Sequence, residues 1–243
     1  MKTVLLLLKL SFLAFPLLIS CEKKKEQSEE GNLEELIFNP VVGESWKFEG
    51  TITLDPSARN LEGLLAEGNE GSSNTYQKER RYLGLKPLED GSEKMAHNFE
   101  IRENNKVKSL EFGIVNQQGI MTLGGQEAGK ERLLLAEPIL LIPADDVPGS
   151  IWSISVPNPN DLDGDPMFAR QFRYFGTEQI EILGQVRKAY RVKSFGRTGD
   201  LKLQRDFWFV SNLGFVKERK AYYAQKKRLA LIEEILVAHD VPK

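Results

Sequence analysis

The chain has 243 residues, 33 basic and 35 acidic side chains, and a single cysteine, Cys21. This length is ample for a hydrophobic core. A slightly acidic balance, with a formal net charge of −2, argues against a nucleic-acid-binding protein, whose binding face is basic. One cysteine leaves no partner for a disulfide within the chain and excludes a multi-cysteine metal site.

The first 20 residues have the layout of a secretory signal peptide. Lys2 gives a positive start, an apolar stretch interrupted by Lys9 follows, and Ser20 is the small residue at its end. The uninterrupted apolar run is about ten residues long, whereas a membrane-spanning helix needs about 20. We therefore predict that residues 1–20 are a cleaved signal peptide rather than a transmembrane helix.

The end of this segment, Leu18-Ile19-Ser20-Cys21, resembles the lipobox of bacterial lipoproteins. The resemblance implies that the signal is cut before Cys21 and that the Cys21 thiol carries a diacylglyceryl group. Several acyl chains would give stable membrane anchoring. Residue 22 is Glu rather than the Asp that retains many such lipoproteins in the inner membrane, which favours the outer membrane of a bacterial envelope, with its periplasmic or surface face left open. The alternative is an ordinary secretory signal with an incidental cysteine.

Residues 21–32 combine the proposed lipid attachment site with a tether. The sequence Glu22 to Asn32 has no apolar residue and mixed charge, which is typical of a disordered linker. Residues 33–243 are then predicted to form a single β-rich domain. The alternative is a division into two sheet-forming halves that meet near residues 130–147.

Alternating apolar and polar residues predict a fold that is mainly β, an antiparallel sheet. The clearest region is residues 180–223, which predicts three strands joined by two short turns. In the first strand of the folded part, Trp46, Phe48, Gly50 and Ile52 share one face. The predicted strands are Val41–Leu54, Tyr76–Leu85, Glu93–Arg102, Lys106–Val115, Ile120–Gly124, Tyr190–Phe195, Leu201–Phe209 and Phe215–Tyr223.

Three segments do not fit the strand pattern. Leu33–Phe38 is predicted to be one helical turn, and Asp55–Thr75 a surface loop that carries a marginal helix. Glu131–Ile142 is the most apolar part of the mature chain, but Pro138 and Pro143 disfavour a helix. We expect this last segment to be extended and to cross over the core.

A short sequence motif occurs twice, each time just before a strand. Val41–Trp46 and Val147–Trp152 share the pattern Val-x-Gly-x-x-Trp. Together with Phe207-Trp208-Phe209 and the following Leu213-Gly214-Phe215-Val216-Lys217, these motifs resemble envelope lipoproteins of the LolA/LolB-like half-barrel type. The resemblance implies a curved antiparallel sheet, a half-barrel or open barrel, wrapped around short helices. The chain departs from that type in its long Asp55–Thr75 insertion and its few helical stretches.

The sequence offers few groups for catalysis or metal binding. Asp161, Asp163 and Asp165 alternate around a glycine and are candidate Ca²⁺ ligands, although the EF-hand pattern fails and an ordinary exposed loop is the favoured alternative. His97 and His239 are expected to be structural or surface residues, with His239 in a frayed terminus. Nucleotide-binding and metalloprotease motifs are absent from the sequence.

Two sets of side chains are candidates for recognition. Trp46, Trp152 and Trp208 could line a ligand cavity, with packing in the core as the alternative. The basic residues between Lys217 and Arg228 alternate with Tyr222 and Tyr223, and we expect a solvated strand face rather than a nucleic-acid site.

These features predict a lipid-anchored, non-enzymatic envelope protein without a cofactor, which binds a hydrophobic ligand or an envelope component. The alternative is a structural or surface-interaction lipoprotein with a filled core, which contacts a protein or host partner through loops such as Asp55–Thr75. The sequence makes no prediction of the oligomeric state.

Overall fold

The alternating pattern of the sequence is realised as strands throughout the computed structural model. The structure describes residues 38–55, 75–88, 94–144, 147–156, 168–198, 201–224 and 226–243. Within those ranges the regular structure consists of strands, and no helix occurs. The short helices expected in Leu33–Phe38 and Asp55–Thr75 fall almost entirely outside the described residues.

Twelve strands form one sheet in the described part of the chain. They are β1 Ser45–Leu54, β2 Thr75–Pro87, β3 Met95–Glu103, β4 Lys106–Asn116, β5 Gly119–Glu127, β6 Leu133–Pro143, β7 Ile151–Val156, β8 Phe168–Ile182, β9 Gln185–Thr198, β10 Leu201–Val210, β11 Gly214–Ala224 and β12 Lys227–Asp240. Their order in the sheet is β6-β5-β4-β3-β2-β1-β12-β11-β10-β9-β8-β7, and neighbouring strands are antiparallel.

The predicted mainly β, antiparallel fold is thus confirmed, and the sheet is open. The chain runs from the middle of the sheet to one edge in β1–β6 and from the other edge back to the middle in β7–β12. Pairing of β1 with β12 joins the two runs. The expected three-stranded unit is present as β9, β10 and β11, and β9 begins earlier than predicted.

One segment has a different role from the predicted one. Residues of Glu131–Ile142 are extended, as expected, but they form edge strand β6 and pair with β5 instead of crossing over the core. The register shifts between Thr122, which faces Ile139, and Gly124, which faces Leu134. Pro138 lies within that irregular segment. Its lack of an N–H therefore does not cost the sheet a hydrogen bond.

Each half of the sheet begins with the same turn. Gly43 has a φ of 90° and donates its N–H to the Tyr82 carbonyl at 2.9 Å. Gly149 has a φ of 94° and donates to the Tyr174 carbonyl at 2.8 Å. Positive φ favours glycine at both positions. The Val-x-Gly-x-x-Trp pattern therefore encodes a turn that docks onto the next strand.

The strand that receives each turn carries a matching bulge. In β2 the register shifts after Tyr82 at Gly84, which has a φ of 109°. In β8 it shifts after Tyr174, next to Gly176 with a φ of 89°. The repeated unit therefore extends beyond the turn to an Arg-Tyr-x-Gly sequence in the following strand.

The sheet curls so that side chains from distant strands meet on its concave face. Phe38 packs with ring centroids 6.0 Å from Phe99 on β3 and 5.9 Å from Phe209 on β10. At the two sheet edges, the Trp152 indole N–H on β7 donates to the Leu140 carbonyl on β6 at 2.9 Å. The curvature buries a core that a flat single sheet would leave open to water on that face.

Gly50 is expected to be intolerant of even a methyl group. It faces Tyr76 on β2, and a Cβ at Gly50 would lie 2.2 Å from the Tyr76 Cζ atom. We expect Gly50→Ala to lower the free energy of unfolding by about 1–3 kcal/mol through overpacking. Thr51→Ala, on the exposed face, should stay within about 0.5 kcal/mol of the unsubstituted protein. Guanidinium chloride unfolding of both variants checks this, and equal stability would contradict it.

Candidate functional site

A cavity of about 570 Å³ opens on the concave face of the sheet. Its size is within the range of small-molecule pockets. Its walls combine aromatic rings with ionised side chains. The aromatic lining residues are Phe38, Phe48, Phe99, Phe112, Phe207, Phe209 and Phe215. The charged lining residues that form a network of ion pairs are Lys78, Arg80, Glu111, Arg205, Glu218 and Glu234.

The period of two places these charges inside. On β2, Lys78 and Arg80 are in phase with the aromatic residues Tyr76 and Tyr82, so all four point to the concave face. The Arg80 side chain is 15% exposed, whereas that of the next residue, Arg81, is 42% exposed. The alternation of side chains along β2 therefore explains why Lys78 and Arg80 are buried.

The first ionic group centres on Glu234 of β12. Its carboxylate accepts hydrogen bonds from Lys78 Nζ at 2.7 Å and from Tyr76 Oη at 2.5 Å. Burial opposes ionisation, but the charges of Lys78 and Lys220 outweigh it and hold the pKa of Glu234 below its usual value. Burial and the adjacent carboxylate raise the pKa of Tyr76. Glu234 is thus an anion at neutral pH, held by a cation and a neutral phenol.

The second ionic group centres on Glu218 of β11. Arg205 on β10 donates its Nε–H to Glu218, and Lys220 Nζ lies 3.3 Å from the same oxygen. Burial works against the carboxylate, but Arg205 and Lys220 lower the pKa of Glu218 strongly. The solvated basic face expected for β11 is therefore only partly correct, because the Lys220 side chain is 26% exposed and paired, while Arg219 is 44% exposed.

Arg80 is less completely paired than the other buried cations. Its guanidinium carbon lies 3.8 Å from the ring centroid of Phe99 and 5.7 Å from that of Phe215. One terminal nitrogen is 3.4 Å from Glu111, whose side chain is 49% exposed. The buried Arg80 Nε–H has no hydrogen-bond partner in the described part of the chain. Burial, together with repulsion from Arg205, lowers the pKa of Arg80.

Two of the three predicted cavity tryptophans pack in the core. Trp46 is 2% exposed and stacks on His239 with ring centroids 5.5 Å apart. Trp152 stacks on Phe172, with centroids 5.5 Å apart, besides its hydrogen bond to Leu140. Neither contributes to the walls of the cavity.

Trp208 lies on the opposite face of β10 from Phe207 and Phe209. Its indole N–H donates to Glu178 at 2.5 Å, and the Arg191 guanidinium lies 5.2 Å from the ring centroid. Basic side chains cover the ring, so Trp208 is only 6% exposed although it lies outside the cavity. The side chains that cover Trp208 come from neighbouring strands, so the pattern along β10 alone does not show that its ring is buried.

The remaining predicted sites fall where the structure gives no description. Cys21 and the aspartates Asp161, Asp163 and Asp165 are outside the described residues. Among the residues that are described, no group of three His, Cys, Asp or Glu side chains could hold a metal ion. No helix in that part of the chain has the length and apolar character needed to cross a membrane.

Both histidines have defined partners. His97 is in β3, as expected, and its Nδ1 lies 2.9 Å from Tyr82 Oη. His239 is in paired strand β12 rather than in a frayed terminus, because its Nε2 is 2.6 Å from Glu44 Oε1 and its ring stacks on Trp46. The end of the chain is thus part of the sheet.

No family model matches the chain, and no curated protein matches it. It is similar to the crystal structure of a candidate lipoprotein from Parabacteroides distasonis, with 10% identity, a TM-score of 0.41 and coverage of 85% of this chain and 99% of that one. It is also similar to a candidate exported protein with a YmcC-like fold from Bacteroides fragilis, with 12% identity, a TM-score of 0.38 and the same coverage. TM-scores this low leave the function of this chain to be inferred from its own residues.

The ionic groups were missed in the sequence, although a signal for them exists. Lys78 and Arg80 on β2 alternate in phase with tyrosines, and Glu234 on β12 is in phase with Ile232 and Leu236. Charges on the apolar face of a strand indicate buried pairing or a binding site. Their partners lie on distant strands, so the pairing itself is not readable from one strand.

We expect Glu234 and its neighbour Glu233 to differ sharply in their contribution to stability. Glu234→Gln leaves Lys78 buried without its counter-charge, which should lower the free energy of unfolding by about 3 kcal/mol. Glu233→Gln removes an exposed ion pair, in which the Glu233 carboxylate lies 3.5 Å from the Arg219 guanidinium. It should lower the free energy of unfolding by less than about 1 kcal/mol. Denaturant unfolding at neutral pH measures both. A Glu234→Gln variant as stable as Glu233→Gln would show that the buried pair is not formed.

Proposed function

We propose that this protein is a lipid-anchored, non-enzymatic component of a bacterial envelope that binds a hydrophobic ligand in the cavity on its concave face. The observation that carries the proposal is the cavity of about 570 Å³ among aromatic residues. Concave apolar pockets with a few polar groups are the usual form of a small-molecule site. A core filled to native density would leave no such space.

The non-enzymatic part of the proposal is supported by the roles of the two histidines. His97 pairs with Tyr82, and His239 pairs with Glu44 beneath the Trp46 ring. His97 lines the cavity, but its Nδ1 is engaged by the Tyr82 hydroxyl, and His239 lies outside the cavity walls. Glu218 and Glu234 are held ionised by cations, which does not suit a general acid.

The envelope part of the proposal is supported by the first 32 residues. Leu18-Ile19-Ser20-Cys21 has the pattern of a lipobox, and the charged segment after it could hold the sheet away from the bilayer. Glu22 favours the outer membrane. In this arrangement the lipid anchors the protein to the membrane, and the cavity is available to a ligand that is insoluble in water.

Cavity occupancy is tested by native mass spectrometry of protein lacking residues 1–21. We expect a co-purifying lipid, or binding of added fatty acid by the emptied protein. Ser109→Phe, which adds a ring at a lining position, should reduce binding about tenfold or more, since overpacking and lost space together exceed 1.4 kcal/mol. Lys108→Phe, on the adjacent residue outside the cavity walls, should not.

A clean apo mass and no fatty-acid binding by the unsubstituted protein would contradict the ligand-binding proposal. That result would favour the alternative of an interaction lipoprotein, which contacts a partner through its loops. Equal binding by the two phenylalanine variants would place the ligand elsewhere on the protein.

Lipid attachment is tested by labelling cells with radioactive palmitate. We expect the unsubstituted chain to incorporate label and to fractionate with membranes. Cys21→Ala removes the only thiol and should abolish incorporation of the label. Equal labelling and equal fractionation of the two proteins would refute lipid anchoring through Cys21, whatever the result for the cavity.

A further inference from the structure

We propose that the ligand of the cavity is an amphiphile with an acidic head group, and that Arg80 on β2 is the residue that pairs with this head group. This inference rests on the proposed function, and it adds the charge and the orientation of the ligand. The head group would lie at the ionic centre of the cavity, and the acyl chain would lie along its apolar walls.

The first argument is the balance of charge inside the curled sheet. Four cationic side chains are at most 28% exposed there: Lys78, Arg80, Arg205 and Lys220. The well-buried carboxylates that pair with these cations are Glu218 and Glu234, at 11% and 6% exposed. Glu111 is the third acidic partner and is half exposed, so water weakens its attraction. In this buried network four cations therefore share two well-buried carboxylates.

The second argument is how the carboxylates are used. Glu234 is bound by Lys78 and Tyr76, and Glu218 is bound by Arg205 and Lys220. Both anions thus have two strong donors each. Arg80 is left with the distant contact to Glu111 and with an Nε–H that has no acceptor among the described residues. A buried donor without an acceptor is costly and is satisfied when a ligand supplies one.

The third argument is the surroundings of the Arg80 guanidinium. Its central carbon lies 3.8 Å from the ring centroid of Phe99 and 5.7 Å from that of Phe215, so cation–π contacts hold the group beside apolar rings. A guanidinium presents its N–H groups as a planar fork, which matches the two oxygens of a carboxylate or the oxygens of a phosphate. Binding in such a setting is stronger than at a solvated arginine because water competes less.

The direction of the Arg80 pKa agrees with this geometry. Burial lowers that pKa and repulsion from Arg205 adds to the shift, while the charges of Glu111 and Glu218 offset it only in part. An acidic head group beside Arg80 would supply further negative charge, whereas a neutral head group would not.

The apolar walls beside this centre suit the rest of an amphiphile. Ile101 and Ile120 are each less than 10% exposed and line the same cavity. They lie on β3 and β5, on the far side of β2 from the ionic residues of β10–β12. The cavity therefore offers apolar surface next to its ionic residues, and a fatty acid or an anionic lipid requires both.

Photo-crosslinking of the protein as the cell processes it, purified and held in phosphatidylcholine nanodiscs, tests the proposal. The probes are palmitic acid and hexadecanol, each with a diazirine in its chain, and labelled residues are mapped by mass spectrometry. We expect cavity residues to be labelled by the acid at about tenfold lower concentration than by the alcohol, the size expected for one charge-assisted hydrogen bond. Arg80→Gln should remove this preference, and Arg80→Lys should retain part of it.

Arg81→Gln is the matched control, because Arg81 is the next residue on β2, is 42% exposed and pairs with Glu79 on the other face. It should leave the preference for the acid intact. Thermal unfolding confirms that each variant is folded. Unlabelled palmitate and lysophosphatidic acid, which carry a carboxylate and a phosphate head, should both compete with the acid probe, and their relative strength identifies the source. Inorganic phosphate alone should compete weakly.

The outcomes separate the two proposals. If neither probe labels the cavity, the proposed function fails. If both probes label it equally, or if Arg80→Gln lowers labelling by acid and alcohol alike, the cavity binds a hydrophobic ligand but the acidic head group is refuted. Competition by inorganic phosphate as strong as that by palmitate would refute recognition of an amphiphile.

Discussion

The need of a single sheet to bury its apolar face determines the rest of this structure. The twelve strands of the described residues belong to one sheet, and no helix from those residues packs on it. Such a sheet can shield that face by curling, so that side chains from strands far apart in the order pack against each other. Phe38 between Phe99 and Phe209, and Trp152 against the Leu140 carbonyl, are the contacts that result.

Curling also explains why ionised groups occupy the interior. A concave surface brings charges on β2, β10, β11 and β12 within hydrogen-bond reach, so Lys78 can pair with Glu234 across 156 residues of chain. Buried ion pairs of this kind contribute little net stability because desolvation offsets their attraction. They place polar groups inside a cavity that also has aromatic walls, which is the composition typical of a small-molecule site.

The two halves of the sheet show how a local sequence pattern becomes a structural unit. Gly43 and Gly149 make equivalent turns, and each turn bonds to a tyrosine that precedes a bulge. The halves differ in their setting, however. Trp46 follows the turn into a central strand and is buried beneath His239, whereas Trp152 follows it into an edge strand and bonds across the gap to β6.

The sequence by itself determined the antiparallel β class, the strands β1–β5 and β9–β11 and the buried phase of β1, because a period of two along one strand is a local property. It also contains Leu18-Ile19-Ser20-Cys21, which resembles a lipobox. It did not identify β8 or β12 as strands. It did not determine that Glu131–Ile142 is an edge strand, that His239 is held in the sheet, or that Lys78 and Arg80 meet Glu234 and Glu111. Those facts depend on which strands become neighbours and how far the sheet curls. Only the tertiary structure decided them, because the energy of a buried charge depends on partners that lie far away in the chain.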